Sequence, residues 1–438
     1  MTKLGLRYDD ANMWAKEAGK AAATPVEWKD LQTRLTAAKR NLQRMTRSGQ
    51  QGFLQLPFDR QAHTASKTAA RRLEKKVTDL VVLGIGGSDL GARALQQALS
   101  DGKKKKLNVH FAGASTDPDS LSRLLKELNP KKTAINIVSK SGDTLEPMSA
   151  FLILRERILK AVGPKQLGQH IVATTDPEAG SLHKLAKKEK YQILSVPRNV
   201  GGRFSVLSPV GLFPAAAMGI DTDALLSGAR AAVDAFHENA VSQCPACRFA
   251  GLHVLGSEKR KQRIQVTMAY SAQLSEFGRW IRQLVAESLG KKKNRQGKTT
   301  HTGFTPIACT GPEDQHSQLQ LWSEGPLDKL ITFLDIASFQ TTLTTPMLEG
   351  SGEIIQRFGK RSMADLIHLE RRATAEALRQ DGRPSGTLFV EQFDASVMGQ
   401  MIVFFELAVA LMGELMDIDA FDQPGVELMK RLMRQELA

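Results

Sequence analysis

The feature that most constrains the fold of this chain is a series of short apolar runs that alternates with helix-length segments from Thr78 onwards. Each run has the length of a single strand and shows no polar alternation. Such runs are typical of a parallel sheet that helices cover on both faces. We therefore predict a sheet whose strands are Leu80–Leu83, Leu107–Phe111, Ala134–Val138, His170–Ala173 and Tyr191–Val196.

A second and weaker series of the same kind follows a helical stretch. Its predicted strands are Gln265–Ala269, Pro306–Cys309 and Leu330–Leu334. A long helix with a very apolar face is predicted from about Ala395 to Met412, and a charged helix from Gly425 to Leu437. Residues 1 to about 75 are predicted to be helical, without a strand signal. The pattern indicates an α/β protein and leaves open whether the two series are similar halves.

The charge of the chain raises the question of nucleic-acid binding, because its net charge is +14 and its pI is about 9.6. Lysines cluster at Lys103–Lys106 and Lys291–Lys293. Aromatic residues do not interleave with them, and no recognition-helix or zinc-finger pattern occurs. A basic surface that attracts anionic metabolites, or one without a role, is favoured over a nucleic-acid partner.

Cysteine content and hydropathy indicate a cytoplasmic protein. The three cysteines are too few for a disulfide framework and fit a reducing compartment. The N-terminus lacks an apolar signal core, so we expect no secretion. Apolar runs such as Met401–Phe405 are interrupted, and we expect no segment that crosses a membrane. With 438 residues the chain is long enough for two domains.

One turn carries an unusual density of polar groups. Ser139-Lys140-Ser141-Gly142-Asp143-Thr144 stands between a predicted strand and a predicted helix. Three hydroxyls, one ammonium and the first N–H groups of a helix suit a phosphate, since a helix N-terminus carries partial positive charge. The alternative is a Ser/Thr capping loop with a solvated lysine.

Two Gly-rich turns bring backbone close to a ligand or to a neighbouring element. Gly84-Ile85-Gly86-Gly87-Ser88-Asp89-Leu90-Gly91 fails the dinucleotide fingerprint, because Asp89 stands where its third glycine is due. It also lacks the Gly-Lys-Ser/Thr of a Walker loop. In Gly201-Gly202-Arg203-Phe204-Ser205 an arginine follows two glycines and suits an oxyanion, although a surface salt bridge explains it equally well.

These motifs, in this order and spacing, resemble those of the glucose-6-phosphate isomerase family in its compact bacterial form. The resemblance extends from about residue 78 to the end of the chain. Further matching segments are Gln283–Lys291, Asp314-Gln315-His316-Ser317 and Phe421–Lys430. Three positions depart from the family pattern: Pro147 replaces a threonine, Leu289 an asparagine and Pro424 a tryptophan.

The resemblance implies a pair of doubly wound sugar-isomerase (SIS) domains with a helical arm and a helical tail. The implied boundaries are 1–75 for the arm, 76–225 and 226–412 for the two domains, and 413–438 for the tail. It also implies a homodimer with shared active sites, a sugar-phosphate substrate, and neither metal nor cofactor. The implied reaction interconverts glucose 6-phosphate and fructose 6-phosphate by ring opening and a cis-enediol intermediate, as in glycolysis and gluconeogenesis.

The resemblance assigns the catalytic roles residue by residue. Glu287 is the implied base, Arg203 the implied stabiliser of the enediolate, and His316 and Lys430 the implied groups for ring opening. His316 of the partner subunit is implied to complete each site. The implied substrate-binding residues are Gly87, Ser88, Ser139, Lys140, Ser141, Thr144, Gly202, Gln283 and Gln423. Gln283 precedes Glu287 by one helical turn, so both side chains are predicted to share a helix face, and Gly290 is predicted to end that helix.

Three other functions remain as alternatives. A bifunctional glucose/mannose phosphate isomerase would share the fold. A non-catalytic SIS module that senses a sugar phosphate would keep the phosphate turn without needing Glu287, His316 and Lys430 together. A nucleotide-binding oxidoreductase is disfavoured by the broken fingerprint. The Cys244-Pro245-Ala246-Cys247 motif is interpreted as incidental, with a redox role as the weaker alternative.

Overall fold

The computed structural model describes residues 4–100, 106–350 and 352–436, which form an α/β protein. Lys103, Lys104 and Lys105 of the first lysine cluster lie outside the described residues. In chain order the strands are β1 Leu6–Asp9, β2 Asp79–Leu83, β3 Asn108–Ala112, β4 Thr133–Val138, β5 Ile171–Thr175, β6 Gln192–Ser195, β7 Ile264–Ala269, β8 Lys291–Lys293, β9 Thr299–Thr302, β10 Thr305–Thr310, β11 Lys329–Ser338 and β12 Ser385–Gln392.

Helices connect these strands throughout the described chain. They are α1 Ala15–Ala18, α2 Pro25–Arg47, α3 Arg60–Glu74, α4 Leu90–Leu99, α5 Pro118–Glu127, α6 Leu145–Val162, α7 Pro164–Leu167, α8 Ser181–Lys188, α9 Pro209–Met218, α10 Thr222–Glu238, α11 Pro245–Arg260, α12 Ser275–Leu289, α13 Leu319–Glu324, α14 Glu353–Gln356, α15 Met363–Gln380, α16 Ala395–Leu415 and α17 Glu427–Glu436. Short 3₁₀ turns lie between several of them.

The chain divides into two compact units. The first unit comprises residues 43–230, and the second comprises the described part of 1–42 and 231–438. This division cuts through the predicted arm, residues 1–75. Its last helix, α3, belongs to the first unit because Ala69, Ala70 and Leu73 are buried in the core of that unit. The tail, residues 413–438, falls within the second unit.

The first unit contains a five-stranded sheet in the order β3-β2-β4-β5-β6, in which all pairs are parallel. Apolar side chains of α3 and α9 pack on one face, and those of α6 and α8 pack on the other. Every residue of β4 and β5 is buried. The predicted parallel sheet with helices on both faces is therefore confirmed.

The second unit contains a five-stranded sheet in the order β1-β12-β11-β7-β10. Four strands are parallel, and β1 pairs antiparallel with β12 at the edge. The prediction that residues 1–75 contain no strand is wrong, because Leu6–Asp9 forms β1. Four residues are too few for a periodic signal in the sequence. The β12 strand was also missed.

Both sheets place their parallel strands in the same order. In the first unit β2 lies between β3 and β4, and in the second unit β7 lies between β10 and β11. In each case the first strand of the series is flanked by the second and the third. The two units are thus similar α/β halves in their strand order, a point that the sequence left open.

One helix passes a length and composition test for membrane segments. α16 has 21 residues and a mean hydropathy of 1.8, so by length and composition it is able to cross a membrane. However, 94% of its apolar window is buried inside the protein. It packs against α11 and α12. Its apolar composition fits a core helix of the second unit. The sequence analysis described the apolar runs as short and interrupted and so underestimated the length of this apolar helix.

Candidate active site

The three motif loops of the first unit follow the carboxyl ends of its parallel strands. Gly84–Asp89 follows β2, Ser139–Thr144 follows β4, and the Gly201–Arg203 loop comes after β6. β2 and β4 are neighbours, and the chain leaves β2 for β3 on its other side. Ligands of open α/β sheets bind where the strand order reverses in this way. The turns after β2 and β4 are therefore at the expected binding edge.

Hydrogen bonds hold the Ser139–Thr144 turn in a closed shape. The buried Ser139 hydroxyl accepts from Gly142 N at 3.0 Å and lies 3.3 Å from Thr144 Oγ1. Ser141 is exposed and accepts from Asp143 N at 3.3 Å. Gly142 has φ +80°, and a Cβ there would lie 2.2 Å from Leu182 N. Only glycine fits this position, because both its backbone angle and its surroundings exclude a side chain.

The turn ends at the N-terminus of α6. Thr144 is the N-cap residue, and its side chain does not cap the helix. The first N–H groups of a helix lack intrahelical partners and carry partial positive charge. An anion held by Ser139, Ser141 and Thr144 would meet these N–H groups. The arrangement suits one phosphate group.

Lys140 joins the phosphate turn to the loop that precedes Arg203. Its Nζ donates to the carbonyl oxygens of Arg198 at 2.9 Å and Val200 at 3.1 Å. An ammonium has three N–H donors, so these bonds use two of them. Desolvation lowers the pKa of Lys140 from its ordinary value. The lysine is thus a loop-positioning group as well as a candidate ligand contact.

An ion pair also holds the same loop. Arg198 Nε lies 3.1 Å from Asp176 Oδ2, at the end of β5. Desolvation raises the pKa of Asp176, but hydrogen bonds from Arg198 and from the N–H groups of Glu178 and Ala179 outweigh it and lower the pKa to about 2. Asp176 therefore stays ionised in all ordinary conditions and keeps Arg198 in place.

The two Gly-rich loops touch each other through their backbones. A Cβ on Gly87 would lie 2.3 Å from the carbonyl carbon of Gly202 and 2.6 Å from Arg203 N. Arg203 is almost fully buried, at 2% exposure, and its Cζ lies 5.7 Å from the Phe204 ring centroid. Ser88 is half-buried beside Gly87. The contact positions a buried guanidinium next to the loop after β2.

For the sugar-phosphate isomerisation that the sequence resemblance implies, we expect Gly87→Ala to reduce kcat/KM roughly 10²-fold, because even a displacement of about 1 Å can cost this much. The added methyl would overlap Gly202 and force the two loops apart. Gly168→Ala is the matched control, since its Cβ would lie no closer than 3.4 Å to any atom. Steady-state kinetics of both variants check this. Wild-type kinetics in Gly87→Ala would show that the close approach is not needed.

In the second unit, Gln283 and Glu287 share one face of α12. Gln283 Nε2 donates to Glu287 Oε1 at 3.0 Å. Both side chains are half-buried. The helix ends at Leu289, and Gly290 N donates to Ala286 O at 3.0 Å. The predictions of a shared helix face and of a helix end at Gly290 are confirmed, and Glu287 lies in the last turn.

Lys291 contacts the segment of Glu287, a position that the sequence analysis included in a lysine cluster and in a family-matching segment but to which it gave no role. Its buried Nζ donates to Glu287 O at 2.6 Å and to Asp422 O at 2.9 Å. Asp422 precedes Gln423, so the lysine ties the candidate Gln423 segment to the helix turn that carries Glu287. The sequence signal that could have indicated this contact is the position of Lys291 four residues after Glu287. The Lys291–Lys293 cluster is thus only in part a solvated surface.

We expect Lys291→Met to lower the free energy of unfolding by about 1–3 kcal/mol, because two carbonyl oxygens would lose a charged donor. Lys292→Met is the matched control, since Lys292 is exposed in the same strand. Urea denaturation of both variants measures the difference. Equal stability of the two variants would contradict the assigned role of Lys291.

His316 follows the 3₁₀ turn Glu313–Gln315, beyond the carboxyl end of β10. The histidine is exposed. Neighbouring side chains hold its turn instead: Asp314 accepts from Thr310 N at 2.8 Å and from Ser317 Oγ at 2.7 Å. Tyr270 donates to Gln315 Oε1 at 2.9 Å. Tyr270 had no distinguishing signal in the sequence, because its contact with Gln315 is long-range.

Lys430 and Gln423 lie in the exposed tail. Lys430 Nζ donates to Glu427 Oε1 at 2.8 Å within α17. The helix has no buried residue among those described. Gln423 is exposed before the 3₁₀ turn Pro424–Val426. Within the second unit, the contacts described thus link Glu287 to Gln283 and Lys291, whereas Lys430 pairs with Glu427.

A family model described as phosphoglucose isomerase matches residues 65–437. This is far more than half of the chain. The chain belongs to the phosphoglucose isomerase family. The resemblance inferred from separated motifs is thereby confirmed.

Relatives within the phosphoglucose isomerase family match nearly the whole chain. The glucose-6-phosphate isomerase of Carboxydothermus hydrogenoformans is 36% identical over 432 residues, covering 97% of this chain and 93% of that protein. The glucose-6-phosphate isomerase of Rubrobacter xylanophilus is 38% identical over 432 residues, covering 97% and 96%.

Solved structures agree with the fold of this phosphoglucose isomerase family member. The crystal structure of a hypothetical protein from Thermus thermophilus has a TM-score of 0.88 at 34% identity and covers 99% of this chain and 100% of that chain. A glucose-6-phosphate isomerase from Chlamydia trachomatis has a TM-score of 0.83 at 24% identity, with 99% and 88% covered. The second likeness concerns the fold alone.

Proposed function

We propose that this chain is a glucose-6-phosphate isomerase that interconverts glucose 6-phosphate and fructose 6-phosphate. The observation that carries the proposal is the match of 97% of the chain to proteins named glucose-6-phosphate isomerase. The reaction is an intramolecular oxidoreduction between an aldose and a ketose, a step of glycolysis and gluconeogenesis. The names of these relatives favour this activity over the bifunctional and sensing alternatives.

Glu287 is the proposed base that moves a proton between C2 and C1 of the open-chain sugar. A carboxylate suits this transfer because it accepts the proton from one carbon and returns it to the next. The hydrogen bond from Gln283 supports the role by fixing the direction of the carboxylate. The intermediate is a cis-enediol, so no free carbanion is required.

Phosphate binding is the proposed role of the loops after β2 and β4. Ser139, Ser141, Thr144 and Lys140 would hold the phosphate, while Gly87, Ser88 and Gly202 bring backbone and a hydroxyl close to the sugar. Arg203 is proposed to stabilise the negative charge that develops on O1 and O2, which a buried guanidinium does strongly. Anchoring of the phosphate orients C1 and C2 toward the base.

Ring opening is assigned to His316 and Lys430, with Gln423 as a further substrate contact. A histidine exchanges protons near neutral pH. In the single chain His316 and Gln423 are exposed, and Lys430 is partly exposed within the exposed helix α17. We propose that these groups act when substrate and a second subunit are bound.

A homodimer is the proposed assembly, with His316 of the partner subunit completing each site. Exposed apolar side chains between Leu343 and Leu369, a stretch that includes α14 and the first part of α15, support an interface, since large exposed apolar patches mark association surfaces. The exposed side chains are Leu343, Met347, Leu348, Ile354, Ile355, Phe358, Met363 and Leu369. Light scattering on a sizing column measures the assembly, and a monomer at working concentration would contradict it.

A cytoplasmic location and a reaction without cofactor complete the proposal. The cysteines are free thiols, which fits a reducing compartment. Proton transfer by a carboxylate and charge stabilisation by an arginine require neither metal nor nucleotide.

An assay coupled to glucose-6-phosphate oxidation tests the proposed function. Purified protein supplied with fructose 6-phosphate should form glucose 6-phosphate. Without the coupling enzyme, fructose 6-phosphate and glucose 6-phosphate, each supplied alone, should reach the same equilibrium mixture. Absence of product would refute the function. Parallel formation of mannose 6-phosphate at a comparable rate would establish the bifunctional alternative instead.

A further inference from the structure

Tyr270 packs against the turn that carries His316 in the second unit. It follows β7 directly, and its backbone N–H donates to Leu334 O of the neighbouring strand β11 at 2.9 Å. Its side chain is buried at 1% exposure. The ring packs edge-to-face on Phe333, with 5.8 Å between the centroids. The tyrosine is thus a fixed part of the core of this unit. The isomerase reaction proposed above assigns it no role.

The tyrosine ring contacts the start of this turn. A Cβ on Gly311 would lie 2.7 Å from Tyr270 Cζ, so the close approach of backbone to ring leaves no room for a side chain there. Gly311 N donates to Ala269 O at 2.9 Å, which joins the turn to the residue before the tyrosine. These two contacts fix the point from which the turn begins.

The tyrosine hydroxyl contacts the far end of the same turn. Its proton is shared between Gln315 Oε1 at 2.9 Å and Thr374 Oγ1 of α15 at 3.1 Å. Thr374 Oγ1 itself donates to Glu370 O at 2.8 Å. Desolvation raises the pKa of Tyr270 to about 12, so the hydroxyl keeps its proton throughout the range in which a histidine titrates. The hydroxyl therefore joins α15 to the side chain that precedes His316.

The geometry of the turn transmits this restraint to His316. Gln315 N donates to Pro312 O at 3.0 Å, and His316 N donates to Glu313 O at 3.1 Å. These bonds close a 3₁₀ turn. Such a turn has three residues per turn, so successive side chains point about 120° apart. Because the buried hydroxyl holds Gln315 toward the core, His316 points away from the core, and it is exposed.

We propose that Tyr270 is a positioning residue for His316, which it holds in the direction needed for ring opening. The role rests on the proposed function, in which His316 exchanges a proton with the substrate. Tyr270 acts through the turn rather than on the substrate: its ring fixes the start of the turn, and its hydroxyl fixes Gln315 at the end. Proton transfer depends on the distance and direction between the acid and the atom that it protonates, so a fixed turn favours the reaction.

Tyr270→Phe keeps the ring against Gly311 and removes only the hydroxyl. It should lower kcat/KM for fructose 6-phosphate about tenfold, since a misplacement of about 1 Å costs roughly 10²-fold and the turn keeps its backbone bonds. Gln315→Met removes the other partner of the same hydrogen bond and should cause a similar loss.

Tyr191→Phe is the matched control. Tyr191 is also buried, at 5% exposure, and its hydroxyl accepts from Arg155 Nε at 2.7 Å. It directly precedes β6, at the opposite edge of the first sheet from the binding loops. The same loss of a buried hydroxyl should leave kcat/KM within about twofold of the wild type, because no group assigned to the site contacts it.

A double-mutant cycle separates positioning of His316 from a general loss of active protein. His316→Ala should lower kcat/KM roughly 10²–10⁴-fold, the range of a general acid or base. In Tyr270→Phe/His316→Ala the tyrosine change should cost no more than about twofold further, because the group that it positions is already absent. A smaller folded fraction or weaker phosphate binding would instead multiply with the loss from His316→Ala.

Anomer interconversion measures ring opening by itself. Opening and reclosing of the ring converts one anomer of glucose 6-phosphate into the other, without the proton transfer between C2 and C1 that is assigned to Glu287. In the Glu287→Gln background, Tyr270→Phe should slow the enzyme-dependent exchange between anomers about tenfold. NMR exchange measurements, corrected for the rate without enzyme, check this.

Failure of this role and failure of the proposed function give different results. Wild-type kcat/KM in Tyr270→Phe, a loss that persists in the His316→Ala background, or unchanged anomer exchange would overturn the positioning role alone. Wild-type kcat/KM in His316→Ala would refute the assigned role of His316 and the positioning role with it. Absence of isomerase activity in the wild type would refute the proposed function and every role that rests on it.

Discussion

Glu287→Gln should lower kcat roughly 10²–10⁴-fold, the range that a positioned general base contributes. The amide keeps the size of the side chain, but it cannot accept the proton from the sugar. Substrate affinity should persist, since the groups proposed to bind the phosphate lie in the first unit. Equilibrium binding of glucose 6-phosphate, measured beside kcat, separates the two effects.

Glu276→Gln is the matched control for this experiment. Glu276 lies in the first turn of the same helix, α12, and pairs with Arg279 at 2.7 Å. The same chemical change there should leave kcat within about twofold of the wild type, because Glu276 lies eleven residues before Glu287, about 16 Å along the helix axis. Near-normal turnover in Glu287→Gln would mean that another group is the base. Equal losses in both variants would point to damage of the helix rather than to lost chemistry.

Much of the first unit was predictable because its central strands are buried on both faces. β4 and β5 consist wholly of buried residues, so each appears in the sequence as an uninterrupted short run. The positions of the polar turns follow directly, since the carboxyl ends of parallel strands share one edge. Ser139–Thr144 could thus be placed at this edge before any distance was known, and its role as a phosphate-binding turn stays a prediction.

The edges of the second sheet were not predictable for the opposite reason. β1 is short and has only two buried residues. Its stability comes from pairing with β12, whose residues follow it by more than three hundred positions in the chain. Gly386 accommodates this pairing, since a Cβ there would lie 2.5 Å from Tyr8 Oη. A local pattern of apolar and polar residues does not predict a contact between segments so far apart in the chain.

The same limit applies to the candidate site. The family resemblance singled out Glu287 and Gln283, and their helical spacing predicted that the two side chains share one helix face; the hydrogen bond between them is a finding of the structure. The bonds from Lys140 to the carbonyls of Arg198 and Val200 join residues about sixty positions apart. The bond from Lys291 to Asp422 spans an even longer stretch. Sequence reasoning assigned lysines to ligands or to solvent, and it did not anticipate that they hold loops together.

Whether each site needs two chains is the question that subunit mixing answers. His316→Ala and Glu287→Gln should each be nearly inactive as homodimers. If Glu287 of one subunit works with His316 of the partner subunit, a mixed dimer regains one intact site and keeps one doubly defective site. An equimolar random mixture contains about half mixed dimers, so it should recover about a quarter of the wild-type specific activity.

The opposite arrangement predicts a different number. If Glu287 and His316 of the same chain form a site, no combination of these two variants contains an intact one, and the mixture should stay inactive. Differently tagged subunits, purified through both tags, confirm that mixed dimers have formed. Mixing Glu287→Gln with Gln283→Ala is the control, because these residues lie on one helix face of one chain. We expect that mixture to stay inactive, because the 3.0 Å hydrogen bond between Gln283 and Glu287 places both residues of one chain in the same site. Regained activity would mean that the two residues of one chain serve different sites.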